Sequence, residues 1–286
     1  MIIDAHVHPA FLDLMNVSVE QLSYCRNETG LYKTDIISHE RWDCAHRFSG
    51  IDKVFLLPLD LTTQSGGMLG TNEQMAEVVK RYPDKYIGFA SVDPHRPDAL
   101  EVLEKAFSEL KLSGLKLHPS KQKFFPDDPA MDQIYKLCES YNKPIVFHSG
   151  VSMEPGTLTE YSHPLRFEKV AFRFPKLRIC LAHFGWPWVR EVCMLMLKFR
   201  NVYTDTAFLY FDNPKEFYHQ SLAVDIGPYW IERSLRHQVM FGSDEPRLEQ
   251  SRMLRAIKEL PVRESTRDMI LGENALEFLS GGQNHD

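Results

Sequence analysis

The chain has 286 residues, 43% apolar and 25% charged, with a formal net charge of −6. That is the composition of a soluble globular protein, long enough for one large domain, and its mixed charges form no basic stripe of the kind that would favour a nucleic-acid partner. No apolar run approaches the length of a membrane span. The first residues lack a basic segment followed by an apolar one, and the five cysteines (Cys25, Cys44, Cys138, Cys180, Cys193) form no CxxC pair. Both features predict a cytoplasmic protein with reduced thiols.

The first apolar run, 2–7, predicts a strand that closes on Asp4-Ala5-His6-Val7-His8. Side chains two apart on a strand share a face, so His6 and His8 are aimed together. Residues 9–50 form a long connection with a helix or two, around Glu20–Cys25 and Glu40–Phe48. A strand at 52–57 follows, and then residues 58–71, whose Gly66-Gly67 reads as a flexible loop. Helix 72–82 opens behind Thr71 and leads to strand 86–92. Helix 97–111 begins with Pro97 and Asp98 and carries the stripe Leu100, Leu103, Phe107, Leu110. Strand 113–118 precedes helix 128–142, with Met131, Ile134, Leu137 and Cys138 on one face. Strands 144–148, 178–183, 201–206 and 238–243 alternate with helices 164–174, 187–200, 222–236, 246–259 and 264–279.

The strand candidates are short, rich in Ile, Val, Leu and Phe, and mostly lack polar alternation. Parallel strands buried on both faces read this way. Eight of them alternating with about eight helices predict an α/β fold: one (β/α)8 barrel over residues 1–286, with a long insertion after the first strand. In such a barrel the loops after the strands build the active site.

Five strand ends carry metal-ligand chemistry: His6 and His8, Lys116 with His118, His148, His183 and Asp244. Core packing alone would not generate that pattern. Three histidines and a carboxylate around one ion, with a position left open, suit a divalent metal, Zn²⁺ first and Mn²⁺, Fe²⁺ or Co²⁺ as alternatives. Asp205, ending the seventh strand, is expected to hold a ligand in place by a hydrogen bond. Arg47, Trp186, Glu245 and Arg247 are candidates for contact with a small-molecule substrate, each also readable as a surface or helix-end residue.

The strings Asp-Ala-His-Val-His, Gly-Phe-Ala-Ser-Val-Asp-Pro, Gly-Leu-Lys-Leu-His-Pro, Leu-Ala-His-Phe-Gly, Asn-Val-Tyr-Thr-Asp-Thr, Phe-Gly-Ser-Asp and Ile-Leu-Gly-Glu-Asn-Ala run in order along nearly the whole chain. In them the chain resembles the amidohydrolase superfamily, and within it the amidohydrolase-related group that also holds aminocarboxymuconate-semialdehyde and resorcylate-type decarboxylases. The resemblance implies His6, His8, His148 and Asp244 as ligands of one metal. It implies His183 as a catalytic histidine, with Asp244 also able to accept a proton. Lys116 leaves a second arrangement open. In binuclear members a lysine at this strand end is carboxylated and bridges two metals, and His183 would then join Lys116 at the second ion. The mononuclear reading is favoured, with Lys116 facing the pocket beside His118 and holding a substrate carboxylate as a point charge.

The leading functional expectation is a metal-dependent hydrolase, in which activated water attacks an amide, ester or lactone carbonyl. The alternative is a non-oxidative decarboxylase, or a hydratase, acting on a small unsaturated or aromatic acid. A barrel that keeps a metal without catalysis is the third. Basic residues converging on the pocket would favour the acids, and a neutral apolar pocket the hydrolase. A homodimer is the default assembly by frequency. Specificity is expected to reside in residues 9–50, 58–71, 119–127, 149–163 and 207–228.

Overall fold

The computed structural model describes residues 1–16, 18–154, 156–208 and 213–281. Val17, Pro155 and residues 209–212, inside three of the expected specificity segments, and 282–286 at the end of the expected domain, lie outside the described residues. The strands are β1 (Ile3–Val7), β2 (Lys53–Leu56), β3 (Leu59–Leu61), β4 (Gly67–Leu69), β5 (Tyr86–Gly88), β6 (Ala90–Ser91), β7 (Leu115–Leu117), β8 (Ile145–Phe147), β9 (Ile179–Leu181), β10 (Val202–Asp205) and β11 (Val239–Met240).

All but β3 and β4 pair in parallel around a closed ring. β1 pairs with β2 and β2 with β5, while β6 through β11 pair in succession. β5 and β6 form one spoke bent at Phe89, whose N–H donates to Leu56 O at 3.1 Å. The ring shuts where Ala5 N–H donates to Phe241 O at 2.8 Å and Asp244 N–H to His6 O at 3.0 Å. This is the (β/α)8 barrel that the alternating pattern predicts.

Two apolar layers explain why the strands show no polar alternation. Val54, Leu115, Ile145, Ile179, Val202 and Val239 face the surrounding helices in the main core. Ile3, Phe55, Phe89, Val146, Cys180, Tyr203 and Met240 fill the barrel interior. Ala275 and Phe278 of the last helix, Asn274–Ser280, join that interior cluster, with the Phe278 ring 5.1 Å from Tyr203. Arg178, just before β9, donates to Phe278 O at 2.6 Å and fixes the helix across the N-terminal ends of the strands. The barrel is therefore a packed core closed at one end, in which each fully buried large side chain contributes about 1.5–3 kcal/mol.

At the other end the insertion builds a wall. Its helices, Val19–Thr29 and His39–Ser49, are capped by Ser18 and Ser38, each accepting a backbone N–H from the first turn. Residues 58–71 are not a loose loop. β3 and β4 pair antiparallel, with Leu59 opposite Leu69, around a short helix at Thr62–Ser65. Asp60 fixes that turn by accepting from the Thr62 N–H and hydroxyl. Phe11, Leu22, Cys25, Leu59, Leu61 and Leu69 close into their own small cluster, and this burial is what orders the segment.

Three helical readings shift. Thr71 does cap the helix Asn72–Arg81, but through a box with Gln74 rather than a Glu. Helix Ala99–Ser108 buries Ala99, Leu103, Ala106 and Phe107 and leaves Leu100 42% exposed, so its inward stripe is rotated from the expected one. The helix expected over 222–236 is broken. It runs as Pro214–Tyr218, His219–Asp225 and Ile231–Leu235, interrupted at Gly227-Pro228, where Gly227 takes φ 98° and Pro228 brings no N–H. Among the described residues no helix is long and apolar enough to cross a membrane.

Candidate active site

The register between β1 and β2 slips between Asp4 and Val7, a bulge at the end of the strand. Bulges re-aim side chains, and this one sits where His6 and His8 leave the barrel. Asp4 ties that end to the turn before Asp244. It accepts N–H groups from His6 at 3.1 Å and Ser243 at 2.9 Å, and the Gln250 side chain at 2.8 Å. Burial pushes its carboxyl up to about 7, against the pull of those donors. Gly242 is required by space, because a Cβ there would lie 2.9 Å from the Cβ of His6. His183 and Asp244 both adopt left-handed backbone, φ 61° and 65°. Such strain costs on the order of 1–3 kcal/mol per residue and clusters at functional positions.

Proton accounting identifies what the cluster lacks. His6 Nδ1–H donates to Asp205 Oδ2 at 2.8 Å, and His8 Nδ1–H to Leu57 O at 3.2 Å. In the neutral rings both Nε2 atoms are therefore bare lone pairs. They lie 3.3 Å apart, at 3.6 and 3.0 Å respectively from Asp244 Oδ1. One proton can serve only one pair in that triangle, whereas a cation serves all three. Burial, with Lys116, His183 and His8 nearby, holds His6 well below the usual imidazole range. Burial works against ionised Asp244, but the surrounding histidines, His8 with His183 and His6, hold its carboxyl well below the usual range. Neutral imidazoles and an ionised carboxylate are the forms that ligate metal.

The same logic extends inward. His183 Nδ1–H donates to Ala207 O at 2.6 Å, leaving Nε2 to accept from His148 Nδ1–H at 3.1 Å. His148 Nε2 is then a bare, buried nitrogen with no partner among the described residues. Asp205 Oδ1 accepts the His183 backbone N–H at 2.8 Å, so one carboxylate orients both His6 and His183. Ligand atoms of His6, His8 and Asp244 lie within 4.8 Å of one another, as do those of His6, His183 and Asp205. The second set is spent on its own hydrogen bonds, which leaves the first as the fitting cage. His148 stands outside that triad, with its free Nε2 the fourth donor available.

Lys116 and His118 face the same cavity. Lys116 Nζ is buried with no partner among the described residues, and burial lowers its pKa to about 8. His118 stacks on His148 at 3.8 Å and 6°, and its Nδ1 accepts the Lys121 N–H at 3.2 Å. Its Nε2 therefore carries the hydrogen and can donate to a ligand. The cavity, about 780 Å³ out to its mouth, is lined by His8, Lys116, His118, His148, His183 and Asp244 together with leucines and Phe11.

The family model for amidohydrolases matches residues 3–280. The chain belongs to this family. A curated relative, the 2-amino-3-carboxymuconate-6-semialdehyde decarboxylase of Dictyostelium discoideum, is 25% identical over 243 residues, 73% of this chain and 65% of that protein. The chain thus spans a little under two thirds of that relative's length. Among solved structures, an uncharacterised TIM-barrel protein of Bordetella bronchiseptica superposes with a TM-score of 0.78 at 21% identity, covering 98% of both chains. The 5-carboxyvanillate decarboxylase of Novosphingobium aromaticivorans, as its D314N mutant with manganese and 3-methoxy-4-hydroxy-5-nitrobenzoic acid bound, gives 0.64 at 15%, covering 98% of this chain and 97% of that one. At these identities the two structures establish the shared barrel.

Two expected substrate contacts of this amidohydrolase are corrected. Arg47 lies on the outer face of helix His39–Ser49, 65% exposed at its side chain and paired with Asp43 at 3.0 Å. It is not among the described residues that line the cavity. Trp186 is not among the described residues lining the cavity; its indole packs near Phe217, 5.8 Å away, and its carbonyl accepts Val151 N–H. His163 caps the turn Pro164–Phe167 and its ring lies 4.6 Å from Trp188. Glu245 is held by His46 of the insertion at 2.9 Å, while Arg247 does line the cavity. Phe11, Leu31, Leu59, Leu69, Lys121 and Glu154 line the cavity from within the segments expected to carry specificity, although none was singled out from the sequence, and Leu57 lies outside those segments. Lys121, one helical turn beyond the Lys-Leu-His-Pro string, was the one with a local signal.

Proposed function

We propose that this amidohydrolase is a divalent-metal-dependent, non-oxidative decarboxylase of a small unsaturated or aromatic carboxylic acid. The observation that carries the reading is Lys116: a buried ammonium on a cavity wall, without a partner among the described residues, between His118 and the His183–Asp244 side. A buried cation without a counter-charge is costly, and a bound carboxylate repairs it. Ester or lactone hydrolysis on a single metal, the first expectation from the sequence, would use the same ligands but leave the Lys116 ammonium without a role. The decarboxylase named among the curated relatives supports the same choice.

His6, His8, Asp244 and the free Nε2 of His148 would hold the ion, Zn²⁺ or Mn²⁺, with His183 beside it. When bound, it supplies positive charge for substrate oxygens. The chain's own groups do the rest. Lys116 fixes an anionic oxygen, and the His118 Nε2–H donates to a neighbouring one. His183, oriented by Ala207 O and Asp205, and Asp244 are the groups placed to take up a proton from solvent and pass it to the carbon that bears the leaving carboxylate. The C–C bond then breaks, its electron pair restores the unsaturated system, and CO2 departs. The apolar wall excludes water, which strengthens each of these contacts.

The test is CO2 release by the purified protein, loaded with Zn²⁺ or Mn²⁺, from hydroxybenzoic and alkenoic acids, run beside ester, lactone and amide panels. Turnover of an acid that Lys116→Gln abolishes while metal content holds supports the reading. Turnover confined to esters, lactones or amides overturns it.

A further inference from the structure

The cavity's cations differ in how they are used. Lys121 Nζ donates to the Glu28 carbonyl and lies 3.4 Å from Glu28 Oε2. Arg247 Nη2 donates to Thr29 O at 2.9 Å and Glu154 Oε1 at 2.9 Å, and its Nε lies 3.4 Å from Asp244 Oδ2. Both are thus committed to the C-terminal turn of helix Val19–Thr29 and to carboxylates of the chain itself. Lys116 alone among the described cavity-lining residues is a cation with no partner.

The charge balance of the floor gives the same count. A divalent ion in the His6–His8–Asp244 cage offsets Asp244 and Asp205, and Lys116 leaves one positive charge. In the same lining, Ala10, Phe11, Leu31, Leu57, Leu59 and Leu69 present hydrocarbon. Phe11, Leu59 and Leu69 are nearly fully buried in the small cluster that the insertion shares with β3 and β4, so packing fixes these apolar side chains in place.

Resting on the decarboxylase reading of the site, we infer that the substrate is a monoanionic acid with an apolar substituent facing the insertion, and that a second carboxylate at that end is rejected. The name of the curated relative's substrate carries a carboxyl on a muconate skeleton; the lining described here offers a second carboxylate no unpaired cation besides Lys116 among the described residues. A second carboxylate there would lose its water against leucine and phenylalanine, with Lys121 and Arg247 already paired.

The experiment is direct binding, by calorimetry on Zn²⁺-loaded full-length protein, of 4-propylbenzoate against terephthalate. These share a ring and one carboxylate and differ at the far end. The expected result is 4-propylbenzoate binding at least about tenfold tighter, from burial of its alkyl carbons. Lys116→Gln weakens 4-propylbenzoate at least about tenfold, and Leu31→Arg narrows the preference. Met153→Lys, at the exposed rim, narrows it by a second route in case Leu31→Arg does not fold. Equal or tighter binding of terephthalate to the unsubstituted protein overturns the inference, as does binding of neither acid. The readout is independent of turnover. A preference without CO2 release from any acid sinks the decarboxylase reading and keeps this one. CO2 release from dicarboxylic acids that bind as tightly does the reverse.

Discussion

The two ends of the barrel are made from the same strands and serve opposite purposes. At the N-terminal end Tyr203 and Met240 meet Ala275 and Phe278, and the Tyr203 hydroxyl and Arg178 donate to Glu277 and the Phe278 carbonyl. At the C-terminal end β1 gives way to His6 and His8, β8 to His148, and the segment after β11 to Asp244. Lone pairs there face one another with no proton to share. One end is satisfied and the other is deliberately short of a cation. Stability and chemistry are therefore separable along one axis, as barrel enzymes in general allow.

The sharpest way to break the comparison is at the reactive end. Replacing His6 and His8 together with alanine removes two of the three caged ligand atoms. Elemental analysis should find the bound metal gone and catalysis with it, while circular dichroism keeps the barrel's signature. A melted barrel instead would mean that the histidines hold the fold.

Phe278→Ala at the closed end should do the opposite. It empties a fully buried site and should lower unfolding free energy by about 3–5 kcal/mol in urea titrations. Metal per folded chain should stay at the unsubstituted level.

Asp205 sits between the two. Its carboxylate orients His6 and receives the His183 backbone, so Asp205→Asn should weaken metal affinity about 10–100-fold in chelator competition. An unchanged affinity would reduce Asp205 to a packing residue. The smallest effect belongs outside both ends. Arg47→Ala should leave metal content, turnover and melting temperature unchanged, since its exposed ion pair with Asp43 contributes little.

Much of the reactive end was legible because strand periodicity is local: His6 and His8 two apart, and each later ligand type at the end of an apolar run. Asp205 was readable for the same reason. The wall was not legible. Leu59 meets Leu69 only because β3 and β4 pair, and Phe11, Leu22 and Cys25 join them only because the insertion folds back over the mouth. Gly66-Gly67 signalled a turn but could not say that the flanking residues form a hairpin. Arg47 failed because a basic residue after a long loop fixes no direction, and its side chain lies on the exposed face of a helix that buries Trp42 and His46 instead.

The sequence by itself determined the alternation of buried strands and helices, and hence the barrel and the rim on which its reactive side chains gather. Hydrophobic period and strand ends are properties of neighbouring residues. Only the tertiary structure decided which histidine nitrogens are bare, which cations are already paired and which face of the cavity is hydrocarbon. Each of those depends on a partner far away in the chain: Asp205 for His6, Ala207 for His183, Glu28 for Lys121 and the insertion for the wall.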